Sequence, residues 1–358
     1  MSACATVSRD LDEPISGTAA TATTWLLLEQ PGPWGARALV SSHLDPALGR
    51  ALEAAAQGTG VRIALIRRPG RHADHGASPV RQVYAAHTVP GEVWLHSAEI
   101  HDPRQLLDLD FAALGGGDHR SFARALGGRP HAGDPLALVC TNGKRDRCCA
   151  LLGRPLAAEL AASGVTGVWE VTHLGGHRFS PTLLVLPHGY AYGRAEAHTV
   201  KEVLHGVREG RVVVEGCRGR SAWERPGQAA ELAVRSATGE ELAEALSVVR
   251  TTGGVPRWEV TVAHTDGRRW QVVVAEGASL PPRPESCGTS VLGSPSRMDV
   301  VALHELTDRT VEAGTAGTAG LAGTAGTAGT AAKAPMRRPA CGQGSSAASR
   351  GRGRTVSS

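Results

Sequence analysis

Apolar positions along the chain follow two rhythms. Short unbroken runs read as strands covered on both faces. "TTWLLLEQPGPWG" is one, ended by Pro31-Gly32-Pro33, and "DPLALVC" is another. "VRIALIRRPG" and "RQVYAAHT" read as further strands, and "GEVWLHSAE" pairs with the latter. "LDPALGRALEAAAQ" is helical, with Asp45 as N-cap and Pro46 in the first turn. This α/β unit ends near Arg129-Pro130. A second unit has a strand at 135–140, a loop with cysteines, a helix at about 149–163 and a strand at 168–173. A histidine loop follows, then strands at 182–187 and 190–194 hinged at Pro187–Gly189, and a helix at about 195–208. A third segment has a helix at about 227–248, then "RWEVTVAHTDGRRWQVVVA", a hairpin about Thr265-Asp266-Gly267.

The expected fold class is therefore α/β, in five stretches. Residues 1–18 are small and polar and read as disordered; 19–130 form the first α/β domain; 131–212 form the second; 213–304 carry the helix and hairpin. From 305 to 358 the chain turns to low complexity. Its Gly-Thr-Ala triplets lack the bulky side chains that offset ordering entropy, so the tail is expected to be disordered. Without Pro in the triplets it is not collagen.

A hydrophobic content of 41% and a charged content of 20% suit a globular protein. The net charge of +4 misleads. Residues 333–358 carry Lys333, Arg337, Arg338, Arg350, Arg352 and Arg354 and no acid, which leaves −2 for everything before them. A basic nucleic-acid face is not supported in the body, and the scarcity of lysine (Lys144, Lys201 and Lys333 alone) points to codon bias. No window reaches the roughly 18 apolar residues of a membrane span. "MSACATVSRDLDEP" is not a secretory signal. Seven cysteines, an odd number, do not form a disulfide framework, so a reducing cytoplasm is the expected setting.

Clustered Cys and His then suggest metal or redox chemistry. His173 and His177 flank Gly175-Gly176. Their spacing occurs in the H-E-x-x-H zinc helix, but Leu174 stands where the general base would be, and the glycines oppose a helix. An extended chain would hold the rings about 13 Å apart, so a shared metal requires the loop to fold back, which adjacent glycines permit. Alone, these could be two loop histidines. Cys140 ends a strand, however, and Cys148-Cys149 open a helix, and such ends gather at one sheet edge. Neighbouring helical residues point about 100° apart, so one of Cys148 and Cys149 faces the site. Both Zn²⁺ and an iron–sulfur cluster suit two thiolates and two imidazoles.

"FSPTLLVLPHGYAYG" resembles the thioredoxin stretch in which a cis-proline precedes a strand and a tight hairpin, so a cis Ser180–Pro181 bond is expected, though no C-x-x-C motif is present. Thioredoxin-like [2Fe–2S] ferredoxins have two cysteines after the first strand and two ligands three residues apart in a later loop. The whole pattern, in "WLLLEQPGPWG", "CTNGKRDRCCALLGRPLA", "VWEVTHLGGHRFSPTLLVLPHGYAYGR" and "RGRSAWERPGQAAELAVR", resembles the sucrase/ferredoxin-like family over roughly residues 17 to 300. The resemblance implies a thioredoxin-like ferredoxin domain at 131–212 with a [2Fe–2S] cluster on Cys140, Cys149, His173 and His177, and Cys148 as a substitute for Cys149.

Two imidazoles in place of two thiolates would raise the cluster's potential, as in Rieske centres. Lys144, Arg145 and Arg147 would favour the reduced state, or form a solvated loop. The expected function is a non-enzymatic one-electron carrier or redox sensor with a reductase or acceptor as partner; the alternative is a structural Cys2His2 zinc module. A sucrose-cleaving activity needs a carboxylate pair about 5–10 Å apart, which no motif marks. Arg218 and Arg220 read as surface arginines, and Cys217, Cys287 and Cys341 have no partner motif.

Overall fold

The apolar runs assemble into one ten-stranded sheet. The computed structural model describes residues 4–70, 79–289 and 291–307. Ten strands form the sheet: β1 (Thr24–Glu29), β2 (Val61–Arg67), β3 (Arg81–His87), β4 (Trp94–Ile100), β5 (Arg129–Pro130), β6 (Leu136–Cys140), β7 (Val168–Val171), β8 (Leu183–Leu186), β9 (Tyr190–Tyr192) and β10 (Cys217–Arg220). Their order is β10-β9-β8-β6-β7-β2-β1-β3-β4-β5.

That order is a palindrome. In the first half β1 pairs parallel with β2 and antiparallel with β3, and β4 follows β3. In the second half β6 pairs parallel with β7 and antiparallel with β8, and β9 follows β8. Each half is thus a βαβ unit followed by a hairpin, the order expected of a thioredoxin-like unit, and the two meet through antiparallel β2 and β7. Pro79 and Pro181 each stand two residues ahead of the third strand of their half. The Ser180–Pro181 bond is cis, as expected.

Helices supply the second layer. The first half carries α2 (Ala38–Ser41), α3 (Pro46–Ala56), α4 (Phe111–Gly115) and α5 (His119–Leu126); the second carries α6 (Arg147–Ala162) and α7 (Ala197–Arg208). Asp45 caps α3 by accepting from the Ala47 amide. Strand residues alternate between cores, because successive side chains leave opposite faces. Ala137 and Val139 of β6 pack with Leu156 and Leu160 of α6 and Val200 and Val203 of α7. Leu26 and Leu28 of β1 pack with Leu48 and Leu52 of α3. The other face is shared by both halves: Trp25, Leu27 and Ile66 join Leu138, Cys140, Trp169 and Val171 in one core.

The expected division at residue 130 therefore does not separate two structures; sheet and core run across it. The helix expected over 227–248 is shorter. α8 (Arg225–Thr238) stops at Gly239, which takes φ +71°, and residues 246–254 form a strand. This strand, β11 (Leu246–Gly254), precedes β12 (Arg257–His264) and β13 (Arg269–Ala278), the expected hairpin. Two short strands follow, β14 (Arg283–Pro284) and β15 (Leu292–Gly293), then β16 (Ser296–Glu305), which completes a four-stranded sheet beside β13. Residues 1–18 are not disordered throughout, since Cys4–Asp10 form helix α1 with Cys4, Ala5 and Ser8 buried. Of the expected tail, 308–358 lie outside the described residues. Among the described residues no helix is long and apolar enough to cross a membrane.

Candidate metal centre

Cys140 is the last residue of β6, a strand buried along its whole length. Its chain returns two turns later in α6, where Asp146 caps the helix by accepting from the Cys148 amide at 2.9 Å. Cys149, in the first helical turn, packs into the same core as Cys140. The histidine loop leaves β7, the parallel neighbour of β6, so both segments emerge at one sheet edge.

The loop folds back as its glycines allow. Gly175 and Gly176 take φ +88° and +70°, and the rings of His173 and His177 come to 5.5 Å between centroids. Two arginines hold the turn: Arg62 of β2 donates to the His173 carbonyl at 3.1 Å, and Arg218 donates to that of Gly175 at 3.1 Å. Arg218 and Arg220 are therefore not surface arginines. They are 1% and 0% exposed. Arg220 donates to the carbonyls of Thr88 and Ala243 and to Glu244. By contrast Lys144, Arg145 and Arg147 are exposed, whereas Arg62 and Arg218 are near enough for their charge to interact with the Cys140 sulfur.

Ligand atoms of Cys140, Cys149 and His173 lie within 4.8 Å of one another. His177 stands beside this group, through its ring contact with His173. The thiol of Cys149 donates to the sulfur of Cys140, with help from the His173 ring and the Leu174 amide, and holds Cys140 well below the usual thiol range against the opposing effect of burial. Cys149 is pushed up in return, first by that same bond and then by burial. The two sulfurs thus share a proton, which a thiophilic cation would displace.

The imidazoles supply a further test of fit. Nδ1 of His173 and Nδ1 of His177 are both buried and without a hydrogen-bond partner. The Nε2 of His177 lies 2.7 Å from the Glu285 carbonyl. A carbonyl only accepts, so Nε2 carries the proton and Nδ1 keeps its lone pair. A second bond that fixes the tautomer is how metal-binding imidazoles are oriented, and an orphaned buried nitrogen costs about 1–3 kcal/mol unless something binds it. Two thiols and two such imidazoles fit a soft, thiophilic centre.

The site is roofed by helix α1 and by the segment around β14. α1 packs on the short 3-10 turn His177–Phe179. Buried Glu13 bridges Arg178, at 2.8 Å, and Arg283, at 2.9 Å. Sequence reasoning missed Asp146, Arg62 and Glu285, since nothing in their spacing marks them.

Cys148 faces away from this group, so the doublet is not a pair of interchangeable ligands. It meets Cys4 and Cys287 instead. The family description "sucrase/ferredoxin-like" matches residues 15–219. The chain belongs to the sucrase/ferredoxin-like family. No curated protein and no solved structure matches it. The sucrase/ferredoxin-like span includes Cys140, Cys149, His173, His177, Arg62 and Arg218, whereas Cys4, Glu285 and Cys287 lie beyond it.

Proposed function

We propose that the chain binds a [2Fe–2S] cluster through Cys140, Cys149, His173 and His177 and serves as a one-electron carrier or redox sensor toward a protein partner. The observation that carries this reading is the His177 ring, with Nε2–H given to Glu285 and a bare Nδ1 turned inward beside His173. When bound, the cluster would accept and return a single electron at a potential raised by its neutral ligands. The protein's own part is environment. Cys140 and Cys149 are fully buried, so water is kept from the sulfur side. The His177 side chain is 20% exposed, which makes the histidine edge the shorter route to a partner. The carboxylate of Asp146, 3.6 Å from His177 Nε2, and the Glu285 carbonyl both favour a proton held there.

Anaerobically purified protein, assayed for iron and sulfide with a visible spectrum, tests the proposal. A coloured protein with about two irons and two sulfides per chain is expected. A colourless protein with zinc on these four residues would refute the electron-carrier reading in favour of a structural zinc module.

A further inference from the structure

We propose that Cys4, Cys148 and Cys287, with the carboxylate of Asp146, form a second metal site that takes a zinc ion. The three sulfurs lie 3.5 Å (Cys4–Cys148), 3.5 Å (Cys4–Cys287) and 3.0 Å (Cys148–Cys287) apart. The Asp146 oxygens are 3.9 and 4.0 Å from the Cys4 sulfur. One ligand atom from each residue falls within 4.8 Å of all the others. Zinc with Zn–S bonds of ~2.3 Å has tetrahedral S···S edges of about 3.8 Å; the two Cys4 separations of 3.5 Å are near this, and Cys148 and Cys287, at 3.0 Å, would have to part to admit the ion.

The alternatives account for less. A disulfide needs sulfurs at about 2.05 Å and joins only two of the three. Buried thiols alone would leave the charge of Asp146, which also caps α6, without a permanent counterion. Its side chain is 0% exposed, and among the described residues its ion pair is with His177, at 3.6 Å. The amides of Cys148 and Cys287 orient its two oxygens, yet neither brings a full positive charge. A buried carboxylate beside three thiols is a ligand set whose charge a cation would balance. Thiolate-rich ligand sets select zinc among common divalent ions. On binding, three thiol protons pass to solvent and the thiolates and carboxylate coordinate the metal, with no change of oxidation state.

The site also explains the cysteine doublet. Residues adjacent on a helix point about 100° apart, so Cys149 serves the inner centre while Cys148 serves the outer one. The ligands come from α1, from the start of α6 and from the segment after β14. Zinc there would fasten α1 and the segment after β14 over the histidine loop. Glu285, whose carbonyl fixes the His177 tautomer, stands two residues before Cys287. The site is built from this chain's own residues and does not depend on what the inner centre binds.

Full-length protein from zinc-supplemented cells, assayed by plasma mass spectrometry, tests this. About one zinc per chain is expected. Cys4→Ser combined with Cys287→Ser should lose the zinc and keep the iron; Cys140→Ser combined with Cys149→Ser should lose the iron and keep the zinc. Zinc retained by the first variant, or a zinc-free wild type, would each overturn the proposal. Zinc-edge X-ray absorption of the wild type needs no variant. Three sulfurs and one oxygen around zinc support the site, and two sulfurs with two nitrogens place the metal at the inner centre and overturn it.

Discussion

Alanine at Gly176 would strike the turn on which the whole histidine arrangement depends. Two costs follow from the structure. The φ of +70° is a left-handed conformation that disfavours a side chain by about 1–2 kcal/mol. The added Cβ would also lie 2.1 Å from Nη2 of Arg218 and 2.6 Å from its Cζ. Arg218 cannot swing aside cheaply. It is fully enclosed and donates to the Gly175 carbonyl and to the hydroxyl and carbonyl of Thr18, so forced overpacking adds about 1–3 kcal/mol. The expected total is about 2–5 kcal/mol. Gly210 provides the control, because its φ is +71° and nothing lies within 4 Å of its Cβ position. Gly210→Ala should show the backbone cost alone, about 1–2 kcal/mol. Urea denaturation of both variants measures the difference, with the visible spectrum followed in parallel to see whether the loop still holds its imidazoles. Equal losses in the two variants would mean that Arg218 does not brace the loop, and the account of the turn would fail.

Glu170→Ala should cost about 3–5 kcal/mol by breaking a buried ion pair with Arg67, whose Nε and Nη2 donate to the Glu170 carboxylate at 2.9 and 2.8 Å. Arg67→Met combined with Glu170→Leu should cost less than the single change, and a single-variant loss under about 1 kcal/mol would contradict the buried-pair reading. Cys149→Ser should abolish the chromophore while Cys148→Ser keeps it, and colour retained by the first and lost by the second would reverse the assignment. Burial raises the pKa of Glu244, but His188, Arg220 and the Gly91 amide outweigh it and bring it down to about 2 from the usual 4.5. A depressed carboxyl stabilises the fold above pH 4.5 and loses that effect as pH falls towards 2. Glu244→Gln should therefore flatten the stability–pH slope in that window, as acid titration followed by circular dichroism would detect.

How much of this was legible in the sequence depended on range. Strands such as β1 and β6 are buried on both faces, so their unbroken apolar runs declare them. The convergence of His173 and His177 was legible only jointly with the cysteines, since Gly175-Gly176 opposes a helix and permits a folded-back turn without requiring one. α1 was not, because its short run of small residues is buried by partners far along the chain, among them Cys148, Cys287 and the turn His177–Phe179. β11 was missed because "ELAEALSVV" continues a helical pattern past Gly239, the signal that ends α8. The buried state of Arg218 and Arg220 was invisible in an arginine-rich chain, since burial depends on carbonyls from Thr18, Thr88, Gly175 and Ala243 that only the fold collects.

The palindromic sheet bears on whether the cysteine-bearing half can stand alone, as a boundary at 130 would suggest. β7 would become an edge on removal of the first half, losing the pairing of Ile66 with Val171 and Arg67 with Glu170. Thr172 would lose its bonds to Leu65, and the His173 carbonyl would lose Arg62. Trp169 and Val171 would face water where Trp25, Leu27 and Ile66 now cover them. Exposing two such side chains costs about 3–6 kcal/mol, and an unpaired Glu170 adds up to about 3–5 kcal/mol. The sum of about 6–11 kcal/mol rivals the whole stability of a typical domain, about 5–15 kcal/mol. A chain starting at residue 131 and ending at 307 should therefore fail to melt cooperatively and should bind no more than trace metal. A cooperative transition within a few degrees of the full chain would show that the first half is an independent neighbour and not, as Arg62 indicates, one wall of the cysteine–histidine site.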